Sequence, residues 1–390
     1  MDPVLSLIIP TKNRFEYLQI VLDILININD EDFEIVIQDN SDEGELRNNF
    51  LNYLNKLGDN RIKYFYSDEY LSINENSNNA VLNSKGKFIC FIGDDDCVSS
   101  EIVKAARWME AESIEVLTFN CPIYIWPDVE FKYWGKKHTG ILSYTKPTGK
   151  LDAKNPDSEL DNLLRKGGQV LKDMPLLYHG IASREVLNKL YNVTGSFFPG
   201  SVPDMDVAVG LSLYAKKFFK ADIPLVISGT AKKSAGGLGA AKMHKGDIRK
   251  ITTLPRDTAD TWNPYVPFFW SGPTIYADSI SKCLVRTGNS GLLERFNYEI
   301  LYATLFIFHS EFNHDTYKAL RLNKKASILK ISYYTLFLFL YRSISFIGNR
   351  IPAIFKANII KIRFSTIKET LDYIDGIIDD MVLPWQTIKK

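Results

Sequence analysis

Phe88-Ile89-Cys90-Phe91-Ile92-Gly93-Asp94-Asp95-Asp96 decides how the rest of this 390-residue chain is read. A short apolar run bounded by polar residues reads as a strand buried on both faces. It ends by presenting three adjacent carboxylates at its C-terminal tip, where open parallel sheets bind their ligands. Three neighbouring negative charges repel one another. A hard divalent cation, Mg²⁺ or Mn²⁺, is the partner that carboxylate oxygens suit. The competing reading is an Asp-rich turn that opens the next helix, with Ser99 and Ser100 also available as caps.

Upstream, the same grammar repeats. Val4-Leu-Ser-Leu-Ile-Ile9 is an apolar run ending at Pro10-Thr11, and Phe33-Glu-Ile-Val-Ile37 ends at Gln38-Asp39-Asn40-Ser41. Ile62 to Tyr66 is a third strand. Between them, residues 15–28, 45–57 and 76–84 show helical spacing. Strands alternating with helices predict an α/β fold with a doubly wound sheet. Beyond residue 100 the spacing predicts a helix over 102–112, a strand over 114–119, an excursion over 121–160, a helix over 202–219 and a strand over 223–227. Ser234 to His244, rich in glycine, reads as a flexible loop. From about 275 the pattern is helical. We therefore expect a catalytic domain over 1–230, a loop over the ligand site at 231–260 and a helical region over 261–390.

Composition excludes several classes. The formal net charge is +1, so no global field argues for nucleic acid. Cys90, Cys97, Cys121 and Cys283 lack metal-ligand spacing and read as reduced thiols. The chain opens Met-Asp-Pro and runs into a strand, so no signal peptide is expected. Between Asp315 and Glu369 there is no acidic residue, and basic residues flank the aromatic run Ile331 to Tyr341. The segment about 318–368 thus suits a helix lying in an anionic membrane interface, with a buried helix carrying a solvated basic face as the competing reading, and the run is too short to span a bilayer comfortably.

Three strand tips, at Thr11, at Asp39 and at Asp94 to Asp96, converge on one crevice. No GxGxxG follows the first strand and no P-loop lysine motif is present. The segments 6–14 (Ser-Leu-Ile-Ile-Pro-Thr-Lys-Asn-Arg), 34–41 (Glu-Ile-Val-Ile-Gln-Asp-Asn-Ser), Asn76…Ala80…Gly86, and 91–96 (Phe-Ile-Gly-Asp-Asp-Asp) resemble, in order and spacing, family 2 glycosyltransferases of the GT-A fold. The resemblance covers roughly residues 4–230.

The resemblance implies a GT-A mixed sheet and a set of roles. Pro10, Thr11, Asn13 and Arg14 would line the nucleotide pocket. Asp39 would accept a hydrogen bond from the uracil imide, a task for an acceptor-only carboxylate. Asn76, with Asn78 as the second choice, would sit near the nucleotide sugar. Asp94 and Asp95 would face the donor. The commoner family motif, Leu-Asp-Ser-Asp-Asp, puts its first aspartate at Gly93, which moves the metal contact to Asp95 or Asp96. His244, in the glycine-rich loop beside Lys242, is a further candidate metal ligand. Asp204 is the first candidate for the base and Asp206 the second, with helix capping as their competing reading. His179 is placed near the acceptor. The activity implied is a Mn²⁺- or Mg²⁺-dependent inverting transfer from a UDP-sugar to a glycan hydroxyl, with a lipid-linked acceptor, in bacterial surface polysaccharide (capsule or O-antigen-like) assembly. The protein would be cytoplasmic and peripheral at the inner face of the cell membrane. The rivals are a sugar nucleotidyltransferase, for which the first loop lacks glycines, and a catalytically silent glycan-binding protein.

Overall fold

The computed structural model describes residues 2–42, 44–241, 243–348 and 359–386. Its strands are β1 Leu5–Thr11, β2 Phe33–Asp39, β3 Ile62–Tyr66, β4 Phe88–Phe91, β5 Cys97–Val98, β6 Val116–Phe119, β7 Ile123–Ile125, β8 Ile141–Thr145, β9 Leu151–Lys154, β10 Gly180–Ser183, β11 Phe218–Ala221, β12 Val226–Thr230 and β13 Ile359–Arg363. The main sheet has the order β3-β2-β1-β4-β10-β6-β11-β9. β1, β2, β3 and β4 run parallel, and β10 enters antiparallel between β4 and β6. This is the expected doubly wound mixed α/β sheet.

Every residue of β1 and β2 is buried, which is why both read as mostly apolar runs, broken at Ser6 and Glu34, rather than alternating ones. Their register sets Thr11 opposite Asp39. β1 has β2 on one side and β4 on the other, so the strand order reverses at β1. Such a switch point opens a crevice at the carboxyl ends of the strands. The Phe15–Leu25 helix covers one face through Leu18, Val21, Leu22 and Leu25. The Ile73–Asn83 helix starts with a capping box between Ser72 and Glu75, which fixes where its asparagines fall.

A second sheet, β13-β8-β7-β12-β5, takes two of its five strands, β7 and β8, from the 121–160 excursion. β13 comes from the far end of the chain and pairs antiparallel with β8. The Ile367–Asp379 helix after it buries Ile367, Leu371 and Ile374 in the same core as β1 and β2. The last described residues therefore pack with the N-terminal half, and residues 261–390 are not purely helical. In the glycine-rich stretch a short helix, Ala235–Ala240, is capped by Ser234.

The Ile328–Gly348 helix carries the aromatic run and leaves Leu329, Tyr333, Leu336, Phe337 and Leu340 at least half exposed. No helix of the described residues is long and apolar enough to cross a membrane. Arg350 and Lys356, counted in the basic segment, lie outside the described residues, as does Lys242.

Candidate active site

The three strand tips meet where the fold places them. Thr11 closes β1, and its hydroxyl donates to Asp94 Oδ2 at 2.6 Å across the switch point. Arg14, at the start of the first helix, reaches back over both neighbouring carboxylates. Its guanidinium stands 3.0 Å from Asp94 Oδ1 and 3.9 Å from Asp95 Oδ1. Asn13 adopts a left-handed backbone, φ 56°, which asparagine tolerates better than most residues. Its backbone N–H donates to Ser41 Oγ, and its side chain exchanges two hydrogen bonds with Asp42. That latch ties the loop after β1 to the loop after β2. Pro10 is buried within β1.

The aspartates differ sharply in what they hold. Asp96 is completely buried. Its Oδ2 accepts from the Gly93 N–H and the Tyr178 hydroxyl and contacts His179 Nε2 at 2.6 Å, while Oδ1 accepts from the Gly229 N–H. Burial pushes its carboxyl up, but His179 and the two backbone donors outweigh burial and hold it below the usual range. Asp95 Oδ2 accepts from the Ala231 N–H at 2.9 Å, and its Oδ1 faces Arg14. Burial and the Asp96 charge push Asp95 up to about 7, with Arg14 pulling the other way. Asp94 is also raised, by burial first, with Arg14 and Thr11 offsetting part of it.

β12 and the turn after it thus supply the backbone donors that order the cluster. Gly229 makes this possible: a Cβ there would lie 1.7 Å from the Asp95 carbonyl oxygen. Gly93 is tight for a related reason. A Cβ on it would lie 3.0 Å from a carboxylate oxygen of both Asp95 and Asp96 and 3.2 Å from the Tyr178 hydroxyl. Gly93→Ala is therefore expected to cost roughly 1–3 kcal/mol of stability through overpacking, read as a lower urea midpoint at unchanged m. A variant as stable as wild type would show that the corner yields freely.

The donor set can be weighed against a divalent cation. Asp95, Asp96 and His244 do not come together as expected. Among the described residues no three His, Cys, Asp or Glu side chains are arranged to hold a metal. Asp96 spends both oxygens on protein donors. His244 stands edge-on to Trp270, with ring centroids 4.7 Å apart, and lies in the field of Asp204. Burial lowers the His244 pKa, which favours the neutral ring. The oxygens left over are Asp94 Oδ1, buried without a hydrogen bond, and Asp95 Oδ1. Mg²⁺ commonly takes one or two carboxylates and completes its shell with water and substrate phosphates. These two oxygens fit that pattern, with Arg14 now serving as their counter-charge.

Asp39 is fully buried; its Oδ1 accepts from the Ser41 N–H and its Oδ2 from the Tyr64 hydroxyl. Asn76 Nδ2 donates to the carbonyls of Thr11 and Gln38, while its Oδ1 is buried with no partner. Asn78 faces elsewhere and accepts from the Phe197 N–H. Asn74, one turn before Asn78 on the same helix face, donates to Asp206 Oδ2 at 2.6 Å. Sequence reasoning missed Asn74, although its four-residue spacing from Asn78 was a usable signal.

Asp204 and Asp206 open the Pro203–Tyr214 helix. Asp204 keeps part of its surface open; Oδ1 accepts from the Met205 N–H and Oδ2 from the Tyr276 hydroxyl at 2.7 Å. Asp206 is sealed inside. Tyr276 belongs to the Gly272–Arg286 helix, whose Ser279 hydroxyl also accepts from the backbone N–H groups of Ser201 and Val202. That helix, unrecognised as part of the site from sequence, braces the whole loop. His179 Nε2 bonds Asp96 Oδ2. Its backbone sits at φ 61°, an unusual conformation for a non-glycine residue. Tyr178 stacks on it at 3.9 Å.

Residues 6–161 match the family described as Glycosyl transferase family 2. Over 122 residues the chain is 30% identical to a GalNAc(5)-diNAcBac-PP-undecaprenol beta-1,3-glucosyltransferase of Campylobacter jejuni. That stretch is 31% of this chain and 39% of the relative, so the chain spans well under half of the curated protein it matches. Among solved structures it is similar to S. aureus TarS 1-349 in complex with UDP-GlcNAc, at 16% identity over 82% of this chain and 90% of that one, with a TM-score of 0.43. It is also similar to the mannosyltransferase PcManGT from Pyrobaculum calidifontis in complex with GDP-Man and Mn²⁺, at 14% identity over 86% of each chain, with a TM-score of 0.40.

Proposed function

With residues 6–161 belonging to glycosyl transferase family 2, we propose that the protein transfers a sugar from a nucleoside diphosphate, UDP in the first instance, to a hydroxyl of a glycan acceptor with inversion at the anomeric carbon. The observation that carries this reading is the Thr11–Asp94 bond at the switch point with Arg14 paired to the same carboxylate, beside an Asp204 held by the Tyr276 hydroxyl. A donor lying along the crevice would set its uracil toward Asp39 and its diphosphate toward Arg14. Asn76 Oδ1, buried and unpartnered, is an acceptor available to the nucleotide sugar.

Asp204 acts as the base. It takes the proton of the acceptor hydroxyl as that oxygen bonds to the anomeric carbon, while the bond from that carbon to the diphosphate oxygen breaks and the nucleoside diphosphate departs. Tyr276 orients the Asp204 carboxylate. A divalent ion, Mn²⁺ or Mg²⁺, held by Asp94 and Asp95, would supply charge neutralisation for the leaving diphosphate. Arg14 supplies a fixed positive charge at the same place.

The acceptor we propose is lipid-linked, in surface-polysaccharide assembly, with the protein peripheral at the inner face of the membrane. The curated relative's name includes an undecaprenol-linked glycan, and the exposed apolar face of the Ile328–Gly348 helix suits an interface. A panel of nucleotide sugars, tested by donor hydrolysis with and without Mn²⁺, checks the reading. One UDP-sugar should be cleaved, with at least about tenfold stimulation by metal, since charge neutralisation by metal contributes several kcal/mol to such a step. Pyrophosphate release from a nucleoside triphosphate would instead favour a nucleotidyltransferase.

A further inference from the structure

A cleft of about 1220 Å³ opens away from the aspartate cluster, between the Gly272–Arg286 helix, the Tyr298–Phe308 helix and the start of the Ile328–Gly348 helix. Its lining is strongly basic: Arg165, Lys282, Arg286, Arg295 and Lys324, Lys325, Lys330, against Glu294 and Glu299. The first four cations have acidic partners. Arg165 and Arg295 pair with Asp161, Arg286 with Asp257 and Lys282 with Asp278. Lys324, Lys325 and Lys330 are exposed and make no ion pair among the described residues. Trp262, Tyr265, Tyr298 and Tyr334 provide aromatic walls.

The exposed apolar stripe lies beside this cleft. The Ile328–Gly348 helix turns Ile331 inward and points Leu329, Tyr333, Leu336, Phe337 and Leu340 outward. Tyr334, on the same helix, lines the cleft, where its hydroxyl accepts from Asn297 Nδ2 at 3.1 Å. Lys330 is on this helix too, and Lys324 and Lys325 lie just before it. Unpaired cations therefore flank an apolar, aromatic face. That pairing matches a bilayer surface, with phosphates above hydrocarbon, better than a soluble anion, which would leave the apolar stripe uncovered.

We propose that the cleft receives the phosphate headgroup of an anionic membrane lipid while the outward face of the Ile328–Gly348 helix lies in the same leaflet. The proposal rests on the membrane-peripheral reading above and deepens it by naming the headgroup site. The Gly272–Arg286 helix joins the cleft to the catalytic loop. It gives Lys282 and Arg286 to the cleft and Tyr276 to Asp204, and Lys282 Nζ donates to Ser201 Oγ, three residues before Asp204. Headgroup binding would thus hold the base toward the membrane, where a lipid-carried acceptor arrives.

The test is cosedimentation of the full chain with vesicles of phosphatidylcholine alone or of phosphatidylcholine mixed with phosphatidylglycerol. Wild type should prefer the phosphatidylglycerol vesicles. The triple variant Lys324→Gln, Lys325→Gln, Lys330→Gln should lose that preference by roughly a hundredfold, the roughly fivefold effect of one basic side chain near an anionic surface compounded over three. It should keep its unfolding midpoint. The variant Leu336→Ser with Phe337→Ser should weaken binding to both vesicle types. If the triple variant keeps its preference, the cleft is not the headgroup site, although membrane association stands. If wild type binds neither vesicle, the membrane reading fails and takes the proposal with it. If inorganic pyrophosphate displaces wild type from no vesicle yet binds the lysine cleft as tightly as they do, the cleft is a soluble-anion site and the lipid assignment is overturned.

Discussion

Asp204→Asn is expected to lower kcat for sugar transfer by about 10²–10⁴-fold, the usual contribution of a positioned general base. The amide has the shape of the carboxylate but cannot take a proton. Asp204 is the aspartate of its pair that remains accessible, and Tyr276 and the Met205 N–H hold both of its oxygens. Because those contacts are local and the group is partly open, its replacement should leave donor affinity and the unfolding midpoint close to wild type. The pH profile provides a second readout. Burial is the largest influence on Asp204 and raises its pKa; the Tyr276 and Met205 hydrogen bonds pull it back only in part. A base works when ionised, so kcat/KM should fall as pH drops through a value above the ordinary carboxylate range. Tyr276→Phe removes a donor that favours the ionised form, and the acid limb should then move to higher pH. A several-fold loss or less in Asp204→Asn would move the base elsewhere.

The strand tips were legible in the sequence because fully buried parallel strands announce themselves. Val4 to Ile9, Phe33 to Ile37 and Phe88 to Ile92 are runs of mostly apolar residues, broken only at Ser6 and Glu34, and the sheet places the polar residues that follow them together. Short antiparallel additions carry no such mark. β10 has only four residues, Gly180 to Ser183, and gains its place from neighbours β4 and β6. β13 lies in a basic segment that read as helical, and its partner β8 is some two hundred residues away. No local periodicity encodes such a pairing.

Within the site, residue type predicted the chemistry but not the partner. Three consecutive aspartates look alike in sequence. The fold separates them: the Gly229 N–H of β12, the Gly93 N–H and the ring of His179 take up Asp96, whereas Asp94 Oδ1 and Asp95 Oδ1 face Arg14. That division depends on Arg14, His179 and Gly229, each 80 or more positions away. The Gly272–Arg286 helix, which orients Asp204, likewise lies beyond every motif that carried the resemblance.

Asp206→Ala is expected to destabilise the protein by about 2–4 kcal/mol, although Asp206 stands only two residues from the proposed base Asp204. The carboxyl group is completely buried and accepts from Asn74 Nδ2 at 2.6 Å, tying the Ile73–Asn83 helix to the first turn of the Pro203–Tyr214 helix. It packs so closely that a Cβ on Gly200 would lie 1.9 Å from its Oδ1. Truncation removes an acceptor from a buried amide and opens a void against the Gly200 backbone. Urea unfolding should show the midpoint falling in Asp206→Ala while Asp204→Ala stays near wild type. The pH dependence separates lost packing from lost charge. Burial raises the Asp206 pKa well above its ordinary value, with Gly200, Ser279 and Asn74 opposing it. The folded state therefore holds this proton more tightly than the unfolded one. Its contribution to stability is full below the unfolded pKa, about 3.9, and is lost as pH rises through the folded value. Asp206→Asn carries no titrating group, so the stability difference between it and wild type should shift in favour of the asparagine as pH rises from 4 toward neutrality. A pH-independent difference would mean that Asp206 is ionised in the fold throughout, balanced by its donors rather than by a proton.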